Sequence, residues 1–149
     1  MTKAHPTEKD VKAKAKALLD KHGWFFWMPP ASQFGKSGVS DLHAVKPGVF
    51  MCVEFKLEPN KPTALQKAFL TMIHQASHLA FVVTDKNMDS FELWLKAFDE
   101  AQAVMQKGGD EKDIPNHVGS MLVNTSIDLV RGFCAVETLS AMAAHMPSR

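Results

Sequence analysis

The segment from Val49 to Lys56, VFMCVEFK, constrains the fold of this chain more than any other. Read as a strand, it places Val49, Met51, Val53 and Phe55 on one face and Phe50 and Cys52 on the other. A strand apolar on both sides belongs in the middle of a sheet that is covered above and below. Helices must supply that cover, and the chain offers them on both sides of the segment. Glu8 to His22 reads as a helix: Thr7 is its N-cap, Asp10 closes a capping box and Gly23 ends it. Val11, Ala15, Leu18 and Leu19 form its apolar face, with Lys9, Lys12 and Lys16 alongside. Trp24 to Met28 is a short strand stopped by Pro29-Pro30, and Ala31 to Gly38 is an exposed, partly basic loop. Ser40 to Val45 is expected to form a hairpin with the central strand around Lys46-Pro47-Gly48.

Downstream, Thr63 to Ala76 reads as a helix burying Leu65, Phe69, Met72, Ile73 and Ala76, and Leu79 to Thr84 as a strand. Ser90 to Gln106 is a helix carrying Phe91, Leu93, Trp94 and Phe98. A polar linker around Gly108-Gly109 leads to a short apolar segment, Val118 to Val123, and a final helix from Ser126 to about His145. The order is αβββαβ followed by helices: an α/β class with a small mixed central sheet, a core over 1–107 and a C-terminal helical extension over 108–149. With 149 residues, 46% of them hydrophobic and 22% charged, the chain matches one globular domain and excludes a disordered or fibrous class. No apolar run is long enough for a membrane helix, and the N-terminal stretch lacks the greasy core of a signal peptide. Cys52 and Cys134 are too few for a disulfide framework, so a cytoplasmic setting is expected. Charge is uneven, with 11 Lys against 6 acids in residues 1–67 and an acidic excess beyond. A basic half suits a polyanionic partner, although a lysine-coated solvated helix has the same composition.

The chemistry concentrates in Gly38-Val39-Ser40-Asp41 and Val53-Glu54-Phe55-Lys56. With Lys46 paired to Val49, Asp41 falls opposite Glu54 and their side chains share a face, as does that of Lys56. Two facing carboxylates in a mostly buried sheet repel one another and need partners. Lys56 can neutralise one charge. A divalent cation would resolve the rest, and two hard oxygen ligands plus waters suit Mg²⁺ better than zinc. The plainer alternative is a cross-strand salt bridge from Lys56 to Glu54 or Asp41.

This arrangement resembles the PD-(D/E)XK nuclease signature, with Ser40 where Pro is usual. It is most similar to the VRR-NUC branch, whose small stand-alone members occur in phages and bacteria. In that branch a helix opening Lys-x-Pro-Thr/Ser-x-x-Gln follows the acid-containing strand, as Lys61-Pro62-Thr63-Ala64-Leu65-Gln66 does here. The likeness spans roughly Thr7 to Thr84, a little over half of the chain. It implies a restriction-endonuclease-like core, with Asp41, Glu54 and the Phe55 backbone carbonyl as ligands to Mg²⁺, for which Mn²⁺ would substitute. Lys56 would orient or help deprotonate the attacking water, or offset charge on the phosphate. The implied activity is DNA phosphodiester hydrolysis by a homodimer, selective for branched DNA and resembling resolution of Holliday junctions. A non-catalytic nucleic-acid-binding protein on the same scaffold is the alternative, and a partner-binding protein using the acidic half is a third possibility.

Gln66 and Glu8 join the catalytic candidates through the same resemblance. Thr63 and Gln66 also form a capping box, which would occupy Gln66 locally. Glu8 lies within the apolar face of its helix, and family members carry a glutamate at the spacing that separates Glu8 from Gly23. A first-turn acid is also favoured by the helix dipole alone. Lys36, Lys12, Lys16 and Lys61 are candidate phosphate contacts. His43 shares the Asp41 face and reads as a packed or supporting residue in preference to a ligand, and Trp24, Phe25, Phe26 and Trp27 read as sheet core in preference to a base-stacking platform. The apolar face of the final helix, with Ile127, Val130, Phe133, Cys134 and Leu139, would serve either as a dimer surface or as a cap on the domain.

Overall fold

The computed structural model describes residues 4–30 and 38–134. Its four strands, β1 (Phe25–Trp27), β2 (Leu42–Lys46), β3 (Val49–Lys56) and β4 (Leu79–Thr84), form one mixed sheet in the order β1-β2-β3-β4. The first two pairings are antiparallel and β3–β4 is parallel. A parallel pair needs a crossover, and helix α2 (Ala64–Gln75) provides it. Helices α1 (Glu8–Lys21) and α3 (Met88–Gln106) cover the opposite face, joined by α4 (Asn116–Val130). The expected class is the observed one, α/β with helices on both faces and a helical C-terminal portion.

Alternation along β3 divides the core in two. Met51, Val53 and Phe55 meet Val11, Ala15 and Leu19 of α1 and Phe91, Trp94 and Leu95 of α3. Cys52, on the other face, packs with Ala80, Val82 and Leu70 of α2. The hairpin register is the expected one, running from Lys46↔Val49 to Leu42↔Val53. Capping boxes close at Thr7–Asp10 and Thr63–Gln66, so the starts of α1 and α2 follow the local sequence.

Four expectations are corrected. Trp24 and Phe26 pack into the core, but Phe25 is 69% exposed and Trp27 40% exposed, because β1 is an edge strand whose second face is covered by none of the described helices. On α2 the buried residue is Leu70, flanked by Phe69 and Ile73, while Leu65 and Met72 point outward. Helix α3 starts at Met88, since the Asn87 side chain accepts from Thr84 N and donates to the Val82 carbonyl, and its Leu93 is exposed. Finally, α4 is one continuous helix that ends at Val130. The polar run Asn124-Thr125-Ser126 does not interrupt it. Thr125 Oγ1 donates to the Met121 carbonyl at 2.6 Å, and Ser126 Oγ accepts from Trp94 Nε1 at 3.1 Å. Those hydroxyls dock α4 on its own preceding turn and on α3, so their polarity marks contact and not a loop.

Leu129 and Val130 are buried in the main core, and Ile127, Phe133 and Cys134 pack against it. The described part of the C-terminal apolar face therefore caps the body of the protein; Leu139 lies outside the described residues. Among the described residues no helix is long and apolar enough to cross a membrane.

A polar staple holds the turn end of the hairpin. Asp99 on α3 accepts from Lys46 Nζ at 2.9 Å and pairs with the His22 ring at the end of α1, while Lys46 lies over the Trp24 ring. The Lys46 and His22 side chains are mostly buried, so removing Asp99 strands both. Asp99→Ala is expected to lower stability by about 1–2 kcal/mol, read as an earlier urea midpoint at unchanged slope. An unchanged midpoint would show that the staple adds nothing.

Candidate active site

Glu54 is 1% exposed in the centre of the sheet, where a carboxylate is costly to hold. Its Oε1 lies 3.7 Å from Lys56 Nζ, and its Oε2 is buried with no hydrogen-bond partner. The Asp41 carboxyl faces it. Burial first, and then the Asp41 carboxyl, push the Glu54 pKa up to about 8, against the opposing pull of Lys56. Two acids meet a single lysine here, so the pair is short of one positive charge. Lys56 pairs with Oε1 and leaves Oε2 without a partner.

Asp41 stands in a bend one residue before β2, outside the ladder. Its Oδ2 accepts from the Phe55 backbone N–H at 2.9 Å, which aims the carboxyl across the end of β3. Gly38 brings the chain to that position. Its φ is +81°, and a Cβ there would lie 2.5 Å from the Leu65 carbonyl oxygen. Only a residue without a side chain lets the approach to Asp41 run against the first turn of α2.

Asp41 and Glu54 bring two hard carboxylate ligands together. One of their oxygens is an orphan, and such a donor set would suit Mg²⁺ with water completing its shell. Among the described residues no third His, Cys, Asp or Glu joins the acids, so a nitrogen- or thiolate-rich zinc site does not fit.

The same sheet face continues away from the acids. His43, opposite Cys52, stacks on Phe69 with ring centroids 6.2 Å apart, and burial lowers its pKa. It is a packed neutral ring, as expected. Burial raises the Cys52 thiol to about 11, too high for a nucleophile.

The other candidates are scattered. Gln66 Oε1 accepts from Thr63 N at 2.9 Å, so the cap uses its carbonyl oxygen and leaves the amide nitrogen for any other contact. Glu8 pairs with Lys12 at 3.3 Å along the first turns of α1 and makes no hydrogen bond or ion pair with Asp41, Glu54 or Lys56. Lys12 is thereby tied to Glu8, and Lys16 is half-buried on the same helix. Lys36 lies outside the described residues. Lys61 lines a cavity of about 520 Å³ beyond Lys56, with Lys86 and Arg131 among its other walls. Lys86 and Arg131 come from distant segments with no shared spacing, so no local pattern groups them with Lys61. No protein-family model matches this chain, and no curated protein matches it.

Proposed function

We propose that this chain is a divalent-metal-dependent endonuclease that hydrolyses DNA phosphodiesters, with selectivity for branched DNA. The reading is supported above all by Glu54: a fully buried acid with an orphaned oxygen, beside a second acid and a lysine. A purely structural salt bridge would need neither the second acid nor the empty oxygen. Asp41, Glu54 and the Phe55 carbonyl would hold the ion. When bound, the cation would make water acidic enough to attack at neutral pH and would screen the phosphate.

The chain's own groups have distinct tasks in this reading. The Phe55 N–H fixes Asp41, so the carboxyl needs little reorganisation to act as a ligand. A cation at the acids would take over the Glu54 charge that pairs with Lys56, itself mostly buried. The Lys56 ammonium is then free to donate to a phosphate oxygen or to orient water. The resemblance to VRR-NUC nucleases supplies the preference for four-way junctions and the paired action of two protomers.

Purified protein with Mg²⁺ or Mn²⁺ should cut a four-way junction faster than plain duplex of the same sequence. Asp41→Asn and Lys56→Ala should each lower the rate by about 10²-fold or more with the fold intact. Activity that survives both substitutions, or that persists in chelator, would overturn the assignment. Salt-sensitive binding without cleavage would favour the non-catalytic alternative.

A further inference from the structure

The edge strand β1 presents two large aromatic rings to solvent next to the candidate site. Trp27 pairs with His43 and Phe25 with Val45, so both side chains lie on the face that carries His43, Phe50 and Glu54. The Trp27 ring is fixed there by an edge contact to His43 at 5.5 Å and a tilted contact to Phe50 at 6.5 Å. Phe25 stands 6.0 Å from it and is more exposed still. The two rings are thus held from one side and open on the other.

Register locates this platform. The row Trp27–His43–Cys52 lies two residues along β3 from Glu54, and Trp27 is one strand across from β2, which Asp41 immediately precedes. At ~3.3 Å per residue and ~4.8 Å between strands, Trp27 stands roughly 8 Å from Asp41. That is within reach of a base whose own or neighbouring phosphate sits at the acids. An occupant of this patch must offer the indole a flat face and reach the two carboxylates through a cation. A nucleobase meets both demands, because it offers a π-face to the ring and hangs from a phosphate that a cation at the acids would hold.

We infer that Trp27 is a stacking platform for an unpaired base of the nucleic acid, flanking the phosphate held at Asp41 and Glu54. The inference rests on the proposed nuclease function and deepens it. A base inside a duplex has both faces covered, so a ring of this kind selects strands whose bases are already unstacked, at junctions, ends or single-stranded stretches. Trp27 acts here in binding and selectivity. The reaction itself needs no group from it.

The test reads binding without cleavage. The full chain is titrated in Ca²⁺, a hard cation that would fill an oxygen site, and again in chelator, with an oligodeoxythymidylate and with duplex DNA, following tryptophan fluorescence and salt dependence. Trp24 and Trp94 are buried, so quenching on oligothymidylate binding should report Trp27. Trp27→Leu should weaken single-strand binding about tenfold while leaving duplex binding within a factor of two, and Trp27→Phe should retain most of it. Trp27→Leu keeps an apolar side chain against Phe50, and its melting curve establishes that it is folded. Equal single-strand affinity in Trp27→Leu and the parent protein would overturn the inference. So would a dimer that Trp27→Leu abolishes, since a second copy would then occupy the platform. Metal-dependent cleavage is measured separately: stacking with no cleavage by the parent protein would refute the nuclease and leave the platform standing, and cleavage without stacking would do the reverse.

Discussion

Glu54→Gln is expected to make the metal-free protein more stable than the parent at pH 9 and equally stable at pH 5. The ordinary glutamate pKa of 4.5 governs the unfolded chain, while burial beside Asp41 raises it to about 8 in the folded one. Between those values the folded state holds a proton that the unfolded state has released. Stability therefore falls as pH rises from about 4.5 and levels off above about 8. Glutamine carries no such liability, and the gap at pH 9 should be on the order of a few kcal/mol. Mg²⁺ should reverse the ranking. It should raise the melting temperature of the parent at pH 8–9, where the acid is ionised, and leave the variant unmoved. The variant should also lose cleavage. Parallel pH profiles for the two proteins, both indifferent to Mg²⁺, would show that the acids do not form a cation site.

Gly38→Ala carries the second large effect. The φ of +81° strains any L side chain, and the added Cβ would meet the Leu65 backbone, which cannot swing aside as a side-chain tip can. Gly48 gives the comparison: its φ is +77°, but a Cβ there meets nothing within 4 Å. Gly48→Ala should therefore show the strain alone, about 1 kcal/mol. Gly38→Ala should exceed it, at about 2–4 kcal/mol, and should also displace Asp41 from Phe55 N–H. Cleavage by the folded fraction of Gly38→Ala should then fall further than its stability does. Equal effects from the two alanines would mean that the approach to α2 can relax.

The hairpin register, the burial of β3 on both faces and the two capping boxes were legible from the chain. Each depends on neighbours within a few residues, and alternation plus turn chemistry determines them. The meeting of Asp41 with Glu54 followed from that register. What local pattern does not contain is which face a distant element leaves bare. Trp24 to Trp27 is a run of aromatic residues, and nothing in it says that α2 stops short of β1 and leaves Phe25 and Trp27 open. The stretch at Asn124 to Ser126 misled for a related reason: its hydroxyls find partners on Met121 and Trp94, which polarity alone does not reveal. The Phe55 N–H on Asp41 and the Asp99 staple join elements far apart in the chain, and only the tertiary arrangement brings them together.

The Asp99 staple and the paired acids occupy opposite ends of the same hairpin. Lys46 and Asp41 are separated by the length of β2, roughly 17 Å at ~3.3 Å per residue, and they share no contact partner. Changes at the two ends should combine additively. A sequence drifting through mutation could thus tighten the anchor to offset a loss at the acids, or tolerate a looser anchor while the chemistry is altered, giving the fold room to change one property at a time.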